Sequence, residues 1–78
     1  MVDDNVRSGQ LRPEETRFLP LPDVMRRCGI SRSHIYGAIK LGTFPAPVKI
    51  SSSSRWLESE VNAWLAERVR ERNARVAA

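Results

Sequence analysis

The sequence predicts a small, mainly α-helical domain carrying one β-hairpin, and three observations lead there. Two short apolar-periodic stretches are separated only by Gly29, Ile30 and Ser31. A pair of brief strand-like stretches follows Pro45 and Pro47, and a longer amphipathic stretch opens at Glu58. The chain has 78 residues, 41% of them hydrophobic and 28% charged, which suits one globular domain with a small core.

Each element has its own local cause. Leu21, Val24, Met25 and Cys28 recur at i, i+3, i+4 and i+7, the spacing of one helical face. Pro22 fits the first helical position, where its missing amide hydrogen is not needed, and Gly29 fits the left-handed residue that closes a helix. The first helix is therefore expected over about 22–28. Ser31 is placed to cap a second helix running from about Arg32 to Leu41. Ile35, Ala38 and Ile39 share one side of it, and Arg32, Ser33, Tyr36, Gly37 and Lys40 take the other.

Pro45 and Pro47 forbid helix and favour extended chain. Val48-Lys49-Ile50 and Arg55-Trp56-Leu57 then read as the strands of a hairpin around Ser51 to Ser54, with Val48 and Ile50 on one face and Lys49 on the other. From Glu58 a third helix is expected, with Val61, Trp64, Leu65 and Val69 as its apolar stripe. Glu58 and Glu60 stand at its start and Arg68, Arg70, Arg72 and Arg75 toward its end, matching the helix dipole. The expected organisation is a flexible N-terminal tail over 1–17, a domain over 18–72 and a fraying C-terminal tail over 73–78.

Charge is uneven along the chain. Residues 1–17 hold four acidic and three basic side chains, a net of −1, whereas residues 18–78 hold ten basic and five acidic, a net of +5. The segment expected to fold is thus the basic one, a balance that favours a polyanionic partner. Catalysis is not expected, because one histidine and one cysteine supply no metal-ligand set and no phosphate-binding loop spacing occurs. His34 reads as a surface residue in the first turn of its helix. The lone Cys28 permits no internal disulfide and reads as a small buried hydrophobe suited to a reducing compartment. No apolar run approaches the ~18 residues of a membrane span, and the N-terminus opens on Asp3 and Asp4 in place of a basic, then apolar, leader. A cytoplasmic, nucleoid-associated location is expected, with no cofactor and no metal.

Two short helices joined by a tight glycine-containing turn, then a hairpin, describe a winged helix-turn-helix. In that arrangement the second helix is braced from behind so that its polar face can enter the major groove of double-stranded DNA. Arg32 can donate two hydrogen bonds to guanine, and Ser33 one to a base or phosphate. Tyr36 and Lys40 follow at successive turns along the same face. Lys49, Ser52, Ser53 and Arg55 of the wing, and Arg26 and Arg27 of the first helix, are candidates for the backbone or the minor groove. Trp56 and Trp64 read as core pillars in preference to stacking platforms.

The stretch from Phe18 to about Arg68 resembles the AlpA family of phage and prophage regulators, relatives of the excisionases with a MerR-like winged DNA-binding fold. The resemblance lies in Leu21-Pro22-Asp23-Val24, in Gly29 through Tyr36, in Ile39 through Ile50, and in Trp56 through Leu65. It implies a sequence-specific transcriptional regulator of a phage or mobile element, contacting DNA through Arg32, Ser33, Tyr36, Lys40 and the wing. It also implies an integrase as a neighbouring partner; a regulator would contact RNA polymerase, and pairing as a homodimer and tandem binding of monomers on DNA are equally open. An alternative within the resemblance is an excision factor that bends attachment-site DNA. A different class, a protein-interaction module, would dock the arginine-rich third helix on an acidic partner. Two positions depart from the family pattern. Gly37 stands where a larger basic or polar residue is usual, at a cost of about 1 kcal/mol of helix propensity. Four serines stand where the wing usually carries glycine and arginine.

Overall fold

The computed structural model describes residues 17–77. Along the chain lie β1 (Phe18–Leu19), α1 (Leu21–Cys28), α2 (Arg32–Leu41), β2 (Val48–Ile50), β3 (Ser53–Leu57) and α3 (Glu58–Ala77). The strands form an antiparallel sheet in the order β1-β3-β2, so the hairpin β2–β3 is extended by the two residues that lead into α1. Three helices around a small antiparallel sheet make a mainly helical, winged-helix-like fold, as expected from sequence.

The helix boundaries follow from capping chemistry. At the start of α1 the Pro20 carbonyl accepts from the amides of Asp23 and Val24, at 3.0 and 3.1 Å. Gly29 ends that helix at φ 69°, donating its amide to the Met25 carbonyl at 2.8 Å. In α2 the Ser31 hydroxyl accepts the His34 amide at 3.1 Å, which satisfies one of the donors a helix start leaves free. Gly42, at φ 79°, closes it. Both glycines occupy backbone that a β-carbon disfavours.

The core comprises Leu19, Val24, Ile35, Phe44, Trp56 and Val61, with Leu21, Met25, Cys28, Ile30, Ala38, Ile39, Trp64 and Leu65 packed around it. Each helix contributes a single fully buried residue, so the core is a convergence of elements on Trp56 and contains no layer of its own. The loop from Thr43 to Pro45 is held by both indoles. Trp64 Nε1 donates to the Thr43 carbonyl at 2.7 Å and Trp56 Nε1 to the Pro45 carbonyl at 3.0 Å. Between them Phe44 is buried edge-on to Trp64, ring centroids 4.9 Å apart. Trp56 thus takes the core role expected of it, whereas Trp64 is partly buried at the edge of the core.

Four expectations change. Phe18–Leu19 is a strand, which no periodicity signals because two residues carry no period; it exists through pairing with Leu57 and Trp56. Arg17, assigned to the flexible tail, accepts the Glu58 amide on its carbonyl at 2.8 Å, while the rest of that tail lies outside the described residues. α3 is helical past Arg72, to Ala77. Its later, exposed turns carry i,i+3 pairs, Arg68 with Glu71 at 2.7 Å and Arg70 with Glu67, which support the helix beyond the part that packs on the core. Lastly, the apolar stripe of α3 stops at Leu65, since Val69 is half exposed.

Candidate nucleic-acid interface

The geometry of α2 starts from its buried side. Ile35 is fully buried, Ala38 and Ile39 are partly buried, and α1 packs against the helix from behind. With that side committed, the 3.6-residue period leaves Arg32, Ser33, His34, Tyr36, Gly37 and Lys40 exposed. Arg32, Tyr36 and Lys40 follow one another at one-turn intervals, as their spacing requires. The Arg32 guanidinium carbon lies 5.9 Å from the centroid of the Tyr36 ring, within cation–π range. That ring in turn meets buried Trp56 edge-on, with centroids 6.1 Å apart and planes at 70°. Among the described residues, apart from the helix's own adjacent backbone, nothing lies within 4 Å of where a Gly37 β-carbon would stand.

The wing divides by register. Lys49 pairs with Ser54, and Ser54 shares a sheet face with Trp56 two residues on, so Lys49 stands on the face against which Tyr36 packs. Val48 pairs with Arg55, Ile50 with Ser53, and Phe18 with Leu57, so these six residues take the opposite face. Lys49 and Arg55, expected to act together, are therefore split between the two sides of the sheet. Arg55 is half buried and donates to the Ser54 carbonyl at 3.1 Å. Ser52 is exposed in the turn, beside Ser51 at φ 57°. A positive φ at the first central residue alone is the pattern of a type II′ turn, which usually carries glycine there.

The arginines of α1 are separated from this group by their partners. Arg26 is paired with Asp23 on its own helix. Arg27 reaches α3, where its Nη1 lies 3.0 Å from Glu58 Oε2 and donates to Asn62 Oδ1 at 3.0 Å. Glu58 also lies 3.7 Å from Arg17 Nε, which makes it the node tying β1 and α1 to the start of α3. Sequence reading could not see these partners, because Arg27 and Asn62 stand 35 positions apart. The two indole clamps on the loop between α2 and β2 were equally out of view, although a buried tryptophan N–H always needs an acceptor.

Cys28 is partly buried, and desolvation raises its thiol pKa despite the Arg27 charge nearby, which lowers it. Among the described residues no group of His, Cys, Asp or Glu is placed to hold a metal ion, and no helix is long and apolar enough to cross a membrane.

These features define a winged-helix-like domain whose second helix offers an exposed polar and basic face beside a small sheet. Residues 17–69 match the family model described as "Prophage CP4-57 regulatory protein (AlpA)", and the chain belongs to that family of phage regulatory proteins. It is also 48% identical over 56 residues to the uncharacterized protein ORF88 of Enterobacteria phage P4, a match covering 70% of this chain and 64% of that relative. The match therefore spans a little less than two-thirds of the relative's length. No solved structure matches.

Proposed function

We propose that this chain is a sequence-specific DNA-binding transcriptional regulator of a phage or mobile element, reading the major groove with α2. The observation that carries the reading is the division of that helix. Ile35, Ala38 and Ile39 are taken up by the core, while Arg32, Ser33 and Lys40 are exposed and Tyr36, its ring edge-on to Trp56, is partly exposed on the same side. A rod braced in this way has the width and polarity that a groove about 12 Å wide admits. Arg32, at the N-terminal end of α2, is the base reader, Ser33 a base or phosphate ligand, and Lys40 a phosphate ligand. In the wing Lys49 and Ser52 are the candidates for the flanking backbone, since they stand on or beside the face that α2 packs against. Arg26, Arg27, Ser53 and Arg55 contribute less, being ion-paired or placed on the far side of the sheet. The family membership and the +5 net charge of residues 18–78 support the same partner.

The test is a footprint and mobility-shift titration on DNA flanking the gene. Specific binding should weaken steeply with salt, and Arg32→Ala should lose about 1–3 kcal/mol and relax specificity at one base pair. Equal affinity for that DNA and for random duplex would refute the reading. Reporter transcription from the bound site separates a regulator from an excision factor, which would instead bend attachment-site DNA beside an integrase.

A further inference from the structure

We infer that Tyr36 is a positioning residue for Arg32 and not itself a ligand of DNA; the inference rests on the major-groove reading and assigns how its base contact is held. Three distances form a continuous chain. Trp56 is fully buried and fixed at its nitrogen by the Pro45 carbonyl, 3.0 Å away. The Tyr36 ring stands edge-on to it at 6.1 Å, and the Arg32 guanidinium carbon, the last link, lies 5.9 Å from the Tyr36 centroid. An exposed arginine at a helix start otherwise samples many rotamers, and each must be given up when it meets a guanine edge with two parallel hydrogen bonds. A ring anchored on the core removes much of that freedom beforehand. The anchor also reaches the wing, because Trp56 belongs to β3 and pairs with Leu19 of β1. Orientation of the base-reading side chain is thus tied to the sheet through a single aromatic side chain.

This arrangement separates the ring of Tyr36 from its hydroxyl. The ring does the positioning, so Tyr36→Phe should behave as wild type, whereas Tyr36→Met retains apolar packing on Trp56 and lacks the aromatic face. In the free protein the side-chain protons of Arg32 should show ring-current displacement by NMR in the wild type and in Tyr36→Phe, and lose it in Tyr36→Met. With a panel of single base-pair substitutions in the footprinted site, Tyr36→Phe should keep wild-type discrimination within about twofold. Tyr36→Met should lose most of the roughly 5- to 150-fold discrimination that a bidentate contact supplies, at the same base pair that Arg32→Ala relaxes and at no other. The dependence of affinity on salt should be the same in all three proteins.

Undisplaced Arg32 resonances in the wild type would overturn the inference, and need no folded variant to be observed. A uniform loss of affinity in Tyr36→Phe across the whole panel, with the salt slope unchanged because the hydroxyl carries no charge, would make the hydroxyl a phosphate ligand and overturn it as well. Full discrimination in a folded Tyr36→Met has the same effect. Failure of the wild type to prefer any DNA removes the base contact itself, and displaced Arg32 resonances in that case show that the groove reading failed and not the side-chain pairing.

Discussion

Arg27→Ala distinguishes an arginine that holds the fold from one that holds DNA. Arg27 Nη1 lies 3.0 Å from Glu58 Oε2 and 3.0 Å from Asn62 Oδ1, with the arginine side chain 35% exposed and the carboxylate side chain 25%. A pair this open to water is worth about 0.2–1 kcal/mol after screening. The hydrogen bond to Asn62 adds about 0.5–1.5 kcal/mol, so the substitution should cost about 1–2 kcal/mol. For a domain of this size each kcal/mol lowers Tm by about 4–8 °C, which gives a drop of about 4–16 °C. Total stability of the folded part is about 3–9 kcal/mol at ordinary values per residue, so the variant remains folded at low temperature. Thermal unfolding followed by circular dichroism measures the first effect, and Glu58→Gln alone and in combination measures the coupling, expected at about 0.5–1 kcal/mol. At a temperature where Arg27→Ala is folded, its affinity for DNA and the salt slope should match the wild type. An unchanged Tm together with a slope lower by about 0.9 would place Arg27 on a phosphate and refute the assignment.

Other substitutions probe the core, the turn, the helix and the thiol. Trp56→Phe removes the bond to the Pro45 carbonyl and part of a fully buried ring; a loss of about 2–3 kcal/mol is expected by denaturant titration, and a loss under 0.5 would deny Trp56 its central place. Ser51→Gly relieves a positive φ at the wing tip and should stabilise by about 0.5–1 kcal/mol, whereas destabilisation would rule out the left-handed conformation there. Gly37→Ala meets nothing within 4 Å among the described residues and should raise stability by about 1 kcal/mol in the free protein, read as a higher Tm. The Cys28 thiol is pushed up by burial, so at neutral pH it holds less thiolate than a free cysteine, and iodoacetamide should label the native protein more slowly than the urea-unfolded one. Faster labelling of the native form would show an activated thiol instead.

Much of this protein is written in local chemistry. The spacing of Leu21, Val24, Met25 and Cys28, the serine cap at Ser31 and the glycine stops at Gly29 and Gly42 depend on neighbours within one or two turns. A single sequence therefore suffices to place α1 and α2 and to divide α2 into a buried and an exposed side. The hairpin between Val48 and Leu57 is legible for the same reason, since strand alternation and proline exclusion are short-range effects.

Tertiary structure alone decided what depends on residues far apart in the chain. β1 exists because Phe18 and Leu19 pair with Leu57 and Trp56, and two residues have no period to read. The face each wing side chain takes is set by the register of Lys49 against Ser54 and Val48 against Arg55, and this parts two basic residues that look equivalent in sequence. Composition treats Arg27 and Arg32 alike as free positive charge. Folding brings Glu58 and Asn62 to Arg27 and, among the described residues, sets the Tyr36 ring beside Arg32, because an ion pair is made by distance in space, which no local pattern encodes.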